Sequence, residues 1–293
     1  MTEQGPSQIV AVIFCGGAGV RMGPLARIQT KTLLPAFDKP LLWRLIEQLQ
    51  ITGFSRIVVS TTPRYELQIA QAVELHAQSR AQPVPQVVGS IPQETGVLPG
   101  FQDFLDSTPT ERALFCLGDI FFLSNPFASM RTHLAADYDC LAAVKPTVPQ
   151  EVDQGGLILH DRERLLSVIE GSTVDVRQDP WRWSGLALVS RRRALVDIGA
   201  FLQQAPADSP PGELFEFQRR RGAPSRVVVC PDFVNINTPD HLLLASIYAR
   251  MEALPESSSA RMSLGRAADS LRRQLAGRSG SARAAADSVL EGR

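Results

Sequence analysis

The run IVAVIF at residues 9–14 ends directly in the glycine-rich stretch CGGAGVRMG. Six apolar residues without polar alternation describe a strand covered on both faces, and such a strand needs helices on either side of its sheet. That requirement selects an α/β architecture in which strands alternate with crossover helices. Residues 40–52 (PLLWRLIEQLQIT) supply the first of these helices, opened by Pro40, closed before Gly53, and repeating Leu42, Leu45, Ile46 and Leu49 at helical spacing. Strand-like Ile57–Ser60, helix-like Tyr65–Gln78, and the runs Val84–Val88 and Ala113–Leu117 continue the alternation. Residues 9–117 therefore predict about four parallel strands.

Past residue 140 the pattern changes to GGLILH, the turn DRER, and LLSVIE, which predict a hairpin, followed by a strand at WSGLALVS (183–190). Helices are expected over 191–204 and 212–221, a strand at VVVC (227–230), and a helix over Pro239–Met251 with Thr238 as N-cap and Pro239 at its first position. After Pro255 the chain becomes rich in Ser, Ala and Arg. Leu264, Ala268, Leu271 and Leu275 remain at helical spacing there, a narrow stripe that must dock on the preceding domain or pair with another subunit to hold a helix in water. The expected organisation is one domain over residues 1–254, with its halves meeting near residue 140, and a partly helical or disordered tail over 255–293 set apart from the chemistry.

Composition removes several functions. Thirty basic residues balance thirty acidic ones, so no net charge draws the chain to a polyanion, and neither nucleic acid nor a membrane surface is expected as a partner. No apolar stretch approaches the roughly 20 residues of a membrane span, and the run at 9–14 lacks the basic residues that precede a secretory signal. A cytoplasmic protein is expected. Cys15, Cys116, Cys140 and Cys230 form no CxxC pair and read as small core residues.

Any anion must then be held locally, and residues 15–35 (CGGAGVRMGPLARIQTKTLLP) offer the means. Gly16, Gly17 and Gly19 let backbone N–H groups bend into a nest for phosphate, with Arg21 and Lys31 as flanking cations. A dinucleotide fingerprint is excluded because Met22 stands where the third glycine belongs, no helix is expected to open there, and no acid ends the second strand near Ser60–Thr62. Thr30 before Lys31 likewise excludes a Walker A loop, which needs glycine at that place.

The stretch GGAGVRMGPLARIQTKTLLPAFDKPLL resembles the signature of the sugar-1-phosphate nucleotidylyltransferases, with Arg21, Pro24, Leu25, Lys31, Leu33, Leu34, Pro35, Lys39 and Pro40 in register. Within that family it looks most like the glucose-1-phosphate thymidylyltransferase branch. The resemblance extends over about residues 9–250. It implies a Rossmann-like three-layer α/β fold of the nucleotide-diphospho-sugar transferase type, with a mixed, mostly parallel sheet and an inserted hairpin region for the acceptor. FCLGDIFF (115–122) resembles the strand that ends in Gly-Asp, which makes Asp119 the implied Mg2+ ligand. QETGVLPGF (93–101) stands where the family reads the base; Gly96 matches, and Gln86 and Gln93 are both candidates for the base-reading glutamine.

Two places depart from the family. FVNINTPDHLLLA (233–245) resembles its closing motif but carries Asn235 where an aspartate supplies a second Mg2+ ligand; an amide oxygen still suits a hard cation. The hairpin ends in IEGST, so Glu170 matches the glutamate that meets a sugar hydroxyl while Gly171 replaces the lysine that holds the acceptor phosphate. Arg177 and Arg182 are the nearest replacement cations. SGLALV (184–189) resembles the strand whose glycine, here Gly185, touches the acceptor. The resemblance implies an NTP and a phosphorylated small molecule as substrates, nucleotidyl transfer to a sugar 1-phosphate, and release of pyrophosphate. Transfer to a non-sugar phosphate or phosphonate stays open, as does a non-catalytic nucleotide- or sugar-binding role favoured by Asn235 and Gly171. Assembly with a second copy of the chain is compatible with the tail.

Overall fold

The computed structural model describes residues 9–17, 19–89, 96–146, 156–170 and 178–291, with side chains through 277. The first half runs β1 (Ile9–Phe14), α1 (Leu25–Ile28), β2 (Pro35–Ala36), β3 (Lys39–Pro40), α2 (Leu41–Ile51), β4 (Arg56–Ser60), α3 (Glu66–Arg80), β5 (Gln86–Val88), α4 (Val97–Ser107), β6 (Arg112–Leu117), β7 (Ile120–Phe122) and α5 (Phe127–Arg131). The second half runs β8 (Asp139–Val144), β9 (Leu157–Asp161), β10 (Arg164–Ile169), β11 (Trp181–Ser190), α6 (Arg191–Leu202), α7 (Pro211–Arg220), β12 (Ser225–Val229), β13 (Phe233–Asn235), α8 (Pro239–Glu252) and α9 (Ser259–Glu291).

Nine of these strands form one mixed sheet in the order β5-β4-β1-β6-β11-β8-β12-β10-β9. Strands β5, β4, β1 and β6 are mutually parallel, the four strands that the apolar runs predict. β1 explains why: Ile9, Ala11 and Ile13 pack on one face against Leu42, Leu45 and Leu49 of α2 and Ile69 and Val73 of α3. Val10, Val12 and Phe14 pack on the other against α4, α6 and α7 through Phe101, Phe104, Ile198 and Phe215. Helices therefore cover both faces, and all six residues of β1 are buried.

The second half is mixed. β11 runs antiparallel to both β6 and β8, and β9 and β10 form the expected antiparallel hairpin. β9 also pairs with the start of β11 through Trp181 and Arg182. Strands β11, β8, β12, β10 and β9 consequently close into a small ring of strands. Gly185 makes this closure feasible: its φ of 73° lies in the left-handed region, and the β11–β8 register shifts between Trp183 and Ala187. A Cβ at Gly185 would come within 3.0 Å of Leu117 on β6, so only glycine suits both the bend and the contact.

A third core lies beneath the glycine loop and joins Met22, Leu34, Phe121, Val234 and Ile236 to Leu244 and Ala245 of α8 and to Ala268 and Leu275 of α9. The tail's apolar stripe thus docks on the preceding residues through Ala268 and Leu275, with Leu271 at the core's margin. All four cysteines are free and buried, in keeping with core roles. Among the described residues no helix is long and apolar enough to cross a membrane.

Candidate functional site

β1 delivers the chain to the glycine loop at the carboxyl end of the parallel strands, and Cys15 N–H still bonds to Ser60 O of β4 at 2.7 Å. Of Gly16, Gly17 and Gly19, only Gly19 takes a positive φ, 62°. Contrary to the expectation of no helix here, a 3-10 turn over Val20–Met22 and the four-residue α1 follow, because Met22 drops into the third core and pulls the backbone round. A second 3-10 turn, Lys31–Leu33, is fixed by buried Thr30, Thr32 and Leu33. Its Lys31 stem lies against the loop, 3.3 Å from where a Cβ on Gly17 would stand.

Lys31 Nζ forms an ion pair with Asp119 Oδ2, both side chains being mostly buried. Asp119 follows β6 through Gly118, whose N–H bonds to Phe14 O at 2.9 Å, so the carboxylate stands beside the end of β1. Lys39 belongs to the same sequence signature but pairs with Glu47 of α2 at 2.8 Å and with no site residue. Arg21 is exposed and donates to Asn237 Oδ1 at 2.8 Å, tying the glycine loop to the turn before α8.

Asn235 reaches the same place from the far end of the chain. β13 pairs antiparallel with β7, setting Asn235 opposite Ile120, and Ile236 N–H donates to Asp119 O at 2.8 Å. Asn235 Oδ1 is buried and has no hydrogen-bond partner. A carboxylate beside an orphaned amide oxygen is an oxygen donor set that suits Mg2+, which commonly takes one or two protein ligands and completes its shell with phosphate and water. Among the described residues no group of three or more His, Cys, Asp or Glu could hold a metal alone.

A 330 Å³ cavity joins Arg21 and Asn235 to the hairpin; its lining includes Arg21, Ile120, Glu170, Arg182, Gly185 and Asn235. That volume suits a small molecule. A larger open groove of 620 Å³ at the ends of β10 and β12 contains none of these residues, and its Arg219 and Arg226 are paired with Glu216 and Glu163. Size alone does not mark the site.

Glu170 directly follows β10 and meets the N-terminus of α7, accepting from Gly212 N–H at 3.0 Å. A Cβ at Gly212 would stand 2.1 Å from Glu170 Oε1, so the helix start is bare in order to admit the carboxyl. Burial pushes the Glu170 carboxyl up to about 7, partly offset by the Gly212 bond. Arg182 is buried, with its guanidinium 4.4 Å from the centre of the Phe233 ring. Burial, reinforced by the nearby Arg21 charge, lowers His241 to about 4.

The structure thus brings Arg21, Glu170, Gly185 and Asn235 to one cavity, and sets Lys31 against Gly17, Gly19 and Asp119, whose carbonyl bonds to the residue after Asn235. Gly96 caps α4 and is not among the residues lining the cavity; a Cβ there would press within 2.9 Å of Asp208 Cα, which accounts for the glycine by backbone packing. Gln86 lies on edge strand β5 and is exposed, while Gln93, Gly171 and Arg177 lie outside the described residues. Sequence reasoning missed Gly212 and His241. Gly212 acts from the start of α7, 42 residues from Glu170, and leaves no local signal.

Over 52 residues the chain is 38% identical to glucose-1-phosphate thymidylyltransferase of Neisseria gonorrhoeae, covering 18% of each chain. It is 42% identical over 52 residues to that of Mycolicibacterium smegmatis, again with 18% of each covered. The chain therefore spans about a fifth of the length of these curated relatives (18%) in the matched stretches. Solved structures extend the likeness in fold. UDP-glucose pyrophosphorylase in complex with UDP-glucose superposes with a TM-score of 0.68 at 14% identity, covering 83% of this chain and 98% of that one. The inositol-1-phosphate CTP transferase of T. maritima gives 0.67 at 17% identity, with 87% and 99% covered. The glycine loop, the Gly-Asp strand end and the α/β sheet that unites them agree with a family profile that matches residues 11–270: the chain belongs to the MobA-like NTP transferase domain family.

Proposed function

We propose that this chain is an Mg2+-dependent nucleotidylyltransferase that moves a nucleotidyl group from an NTP to the phosphate of a sugar 1-phosphate. The observation that carries this reading is the cavity in which Arg21 of the glycine loop and Asn235 face a buried acid, Glu170, beside the hairpin, with the Lys31–Asp119 pair next in sequence to its Ile120 wall. A phosphate oxygen of the acceptor attacks the α-phosphorus, a new P–O bond forms, and the bond to the β-phosphate breaks with its electron pair leaving on pyrophosphate. The nucleophile is already an anion, so no general base is needed, and catalysis reduces to alignment and stabilisation of charge.

The backbone of residues 16–19 cradles the triphosphate in this reading. Lys31 and Arg21 bear on the phosphates, Lys31 exchanging its contact with Asp119 for one with the nucleotide. Asp119 and Asn235 would hold Mg2+, which when bound neutralises phosphate oxygens. Glu170 accepts from an acceptor hydroxyl, and Gly185 leaves room for the acceptor beside β6. Gly96, with Gln93 or Gln86, remains the proposed base contact.

Gly171 removes the family's usual phosphate-holding lysine, and this favours one second reading, a phosphorylated acceptor other than a sugar 1-phosphate. The inositol-1-phosphate CTP transferase has the same fold. Pyrophosphate release, measured with each of the common NTPs, with and without Mg2+, against sugar 1-phosphates, inositol 1-phosphate and a phosphonate, tests both. Release that requires a sugar 1-phosphate supports the first. Release only with another acceptor selects the second, and no release under any combination leaves a binding protein.

A further inference from the structure

The tail lies beyond every residue assigned to the chemistry, yet it reaches the back of the metal-binding strand. Arg272 of α9, with 10% of its side chain exposed, forms a bidentate pair with Asp232 at 2.5 and 3.0 Å. Asp232 seats β13: its Oδ1 accepts Phe233 N–H at 2.8 Å, and its carbonyl accepts Leu123 N–H at 2.9 Å. From that anchor the ladder runs Phe233–Phe122, Val234–Phe121, Asn235–Ile120, and ends where Ile236 N–H meets Asp119 O. A two-stranded ladder this short is marginal alone and depends on what packs against it. What packs against it is the third core, with Ala268 and Leu275 of α9 beside Val234 and Ile236.

Arg272 and Leu275 also close a small cavity of 20 Å³ whose wall includes Asn235 and His241, room for about one water. Asn235 Oδ1 and His241 Nε2 are both buried there or beside it without partners. A buried amide oxygen with no protein partner is costly to leave unpaired, and a cation ligated there satisfies it.

We propose that α9 is part of the metal-binding apparatus, with Arg272 as a positioning residue that holds Asn235 beside Asp119 through Asp232 and β13. This rests on the metal role of Asp119 and Asn235 in the proposed function. The probe is Mn2+ binding in the presence of inorganic tripolyphosphate, followed by water-proton relaxation, so that neither base nor acceptor need be known. Arg272→Ala should raise the Mn2+ dissociation constant about fivefold or more, Arg272→Lys should fall between it and wild type, and Leu275→Ala should weaken binding by opening the cavity. Met262→Ala, on an exposed part of α9 (56% exposed), should change nothing.

If Arg272→Ala does not fold, Asp232→Arg combined with Arg272→Asp keeps an ion pair but removes the acceptor for Phe233 N–H. It should fold and bind Mn2+ weakly. Wild-type affinity in any folded Arg272 or Leu275 variant, or in the charge-swapped protein, overturns the proposal and leaves α9 a stabilising element only. Failure of the wild-type chain to bind Mn2+ would overturn the metal assignment as well, so the two failures are told apart.

Discussion

The glycine loop and the hairpin solve opposite electrostatic problems. At the glycine loop, charges of both signs are present before any ligand arrives, and Lys31 neutralises Asp119 by direct contact. At the hairpin, Glu170 is buried against an N–H of α7 rather than against a cation, and burial holds its pKa near 7. The glycine-loop end is thus held by an ion pair within the fold. The hairpin end changes its charge as pH passes about 7. Preorganised opposite charge suits transition-state stabilisation, where the donors must be in place before charge develops. A carboxyl poised between two states suits recognition of a neutral hydroxyl.

Breaking the phosphate end should have the largest effect. Lys31→Ala should lower turnover by a factor on the order of 10² to 10³ while leaving the fold intact, since one preorganised cation is lost and no core residue changes. Single-turnover kinetics on a variant with a wild-type circular dichroism spectrum checks this, and unchanged turnover removes Lys31 from the mechanism. The counterpart at the hairpin is Gly212→Ala, which places a methyl on the Glu170 carboxyl. It should raise the acceptor KM about tenfold with the NTP KM unchanged, and cost about 1–3 kcal/mol of stability as the carboxyl gives up its N–H. Equal changes in both KM values would show that the two ends are not separate.

The same contrast governs what the sequence reveals. The glycine loop, Lys31 and the four parallel strands are legible because their causes are local: apolar runs, glycine spacing and a cation a fixed number of residues on. Asp119 is legible through Gly118, which lets β6 end close against β1. The environment of Glu170 is assembled from Gly156, Gly212 and Trp183 in separate segments. The closed ring of β11, β8, β12, β10 and β9 depends on a bend at Gly185 whose partner, Leu117, is 68 positions earlier by residue number (185 minus 117). Asn235 could be matched to a metal position, but its orphaned oxygen depends on β7, α8 and α9 together. The tail's docking is legible in the apolar stripe, whose Ala268 and Leu275 enter the third core, but its register on β13 is set by Arg272 meeting Asp232, for which the stripe holds no signal.

Glu170→Gln sharpens the comparison through pH. A carboxyl whose folded pKa, about 7, lies above its ordinary 4.5 prefers to be protonated in the fold. Its favourable contribution is full below about 4.5 and is lost as pH rises through about 7. Glutamine keeps an acceptor for Gly212 N–H and carries no charge. The variant should match wild-type stability near pH 5 and exceed it by about 1–3 kcal/mol at pH 8, as measured by urea unfolding at both values. A stability difference independent of pH would mean that Glu170 does not titrate in this window.

Asn235→Asp is the smallest and finest of these changes, because it adds a charge at the phosphate end without moving a main-chain atom. Asn235 Oδ1 is buried and unpartnered, so an aspartate there would be buried too, and sources of compensation are a bound cation and the Arg182 guanidinium that lines the same two cavities. If the metal takes that position, the added charge should lower the Mg2+ concentration for half-maximal rate by about threefold, since a carboxylate neutralises more of a hard cation's charge than an amide does. If Arg182 takes it instead, the guanidinium would be drawn toward residue 235, and the acceptor KM would rise while the Mg2+ requirement stayed put. Titrating Mg2+ at saturating acceptor, then acceptor at saturating Mg2+, separates the two outcomes. An unchanged Mg2+ titration would place Asn235 outside the metal's coordination, and the orphaned oxygen would then belong to the strand's packing against α8 and α9.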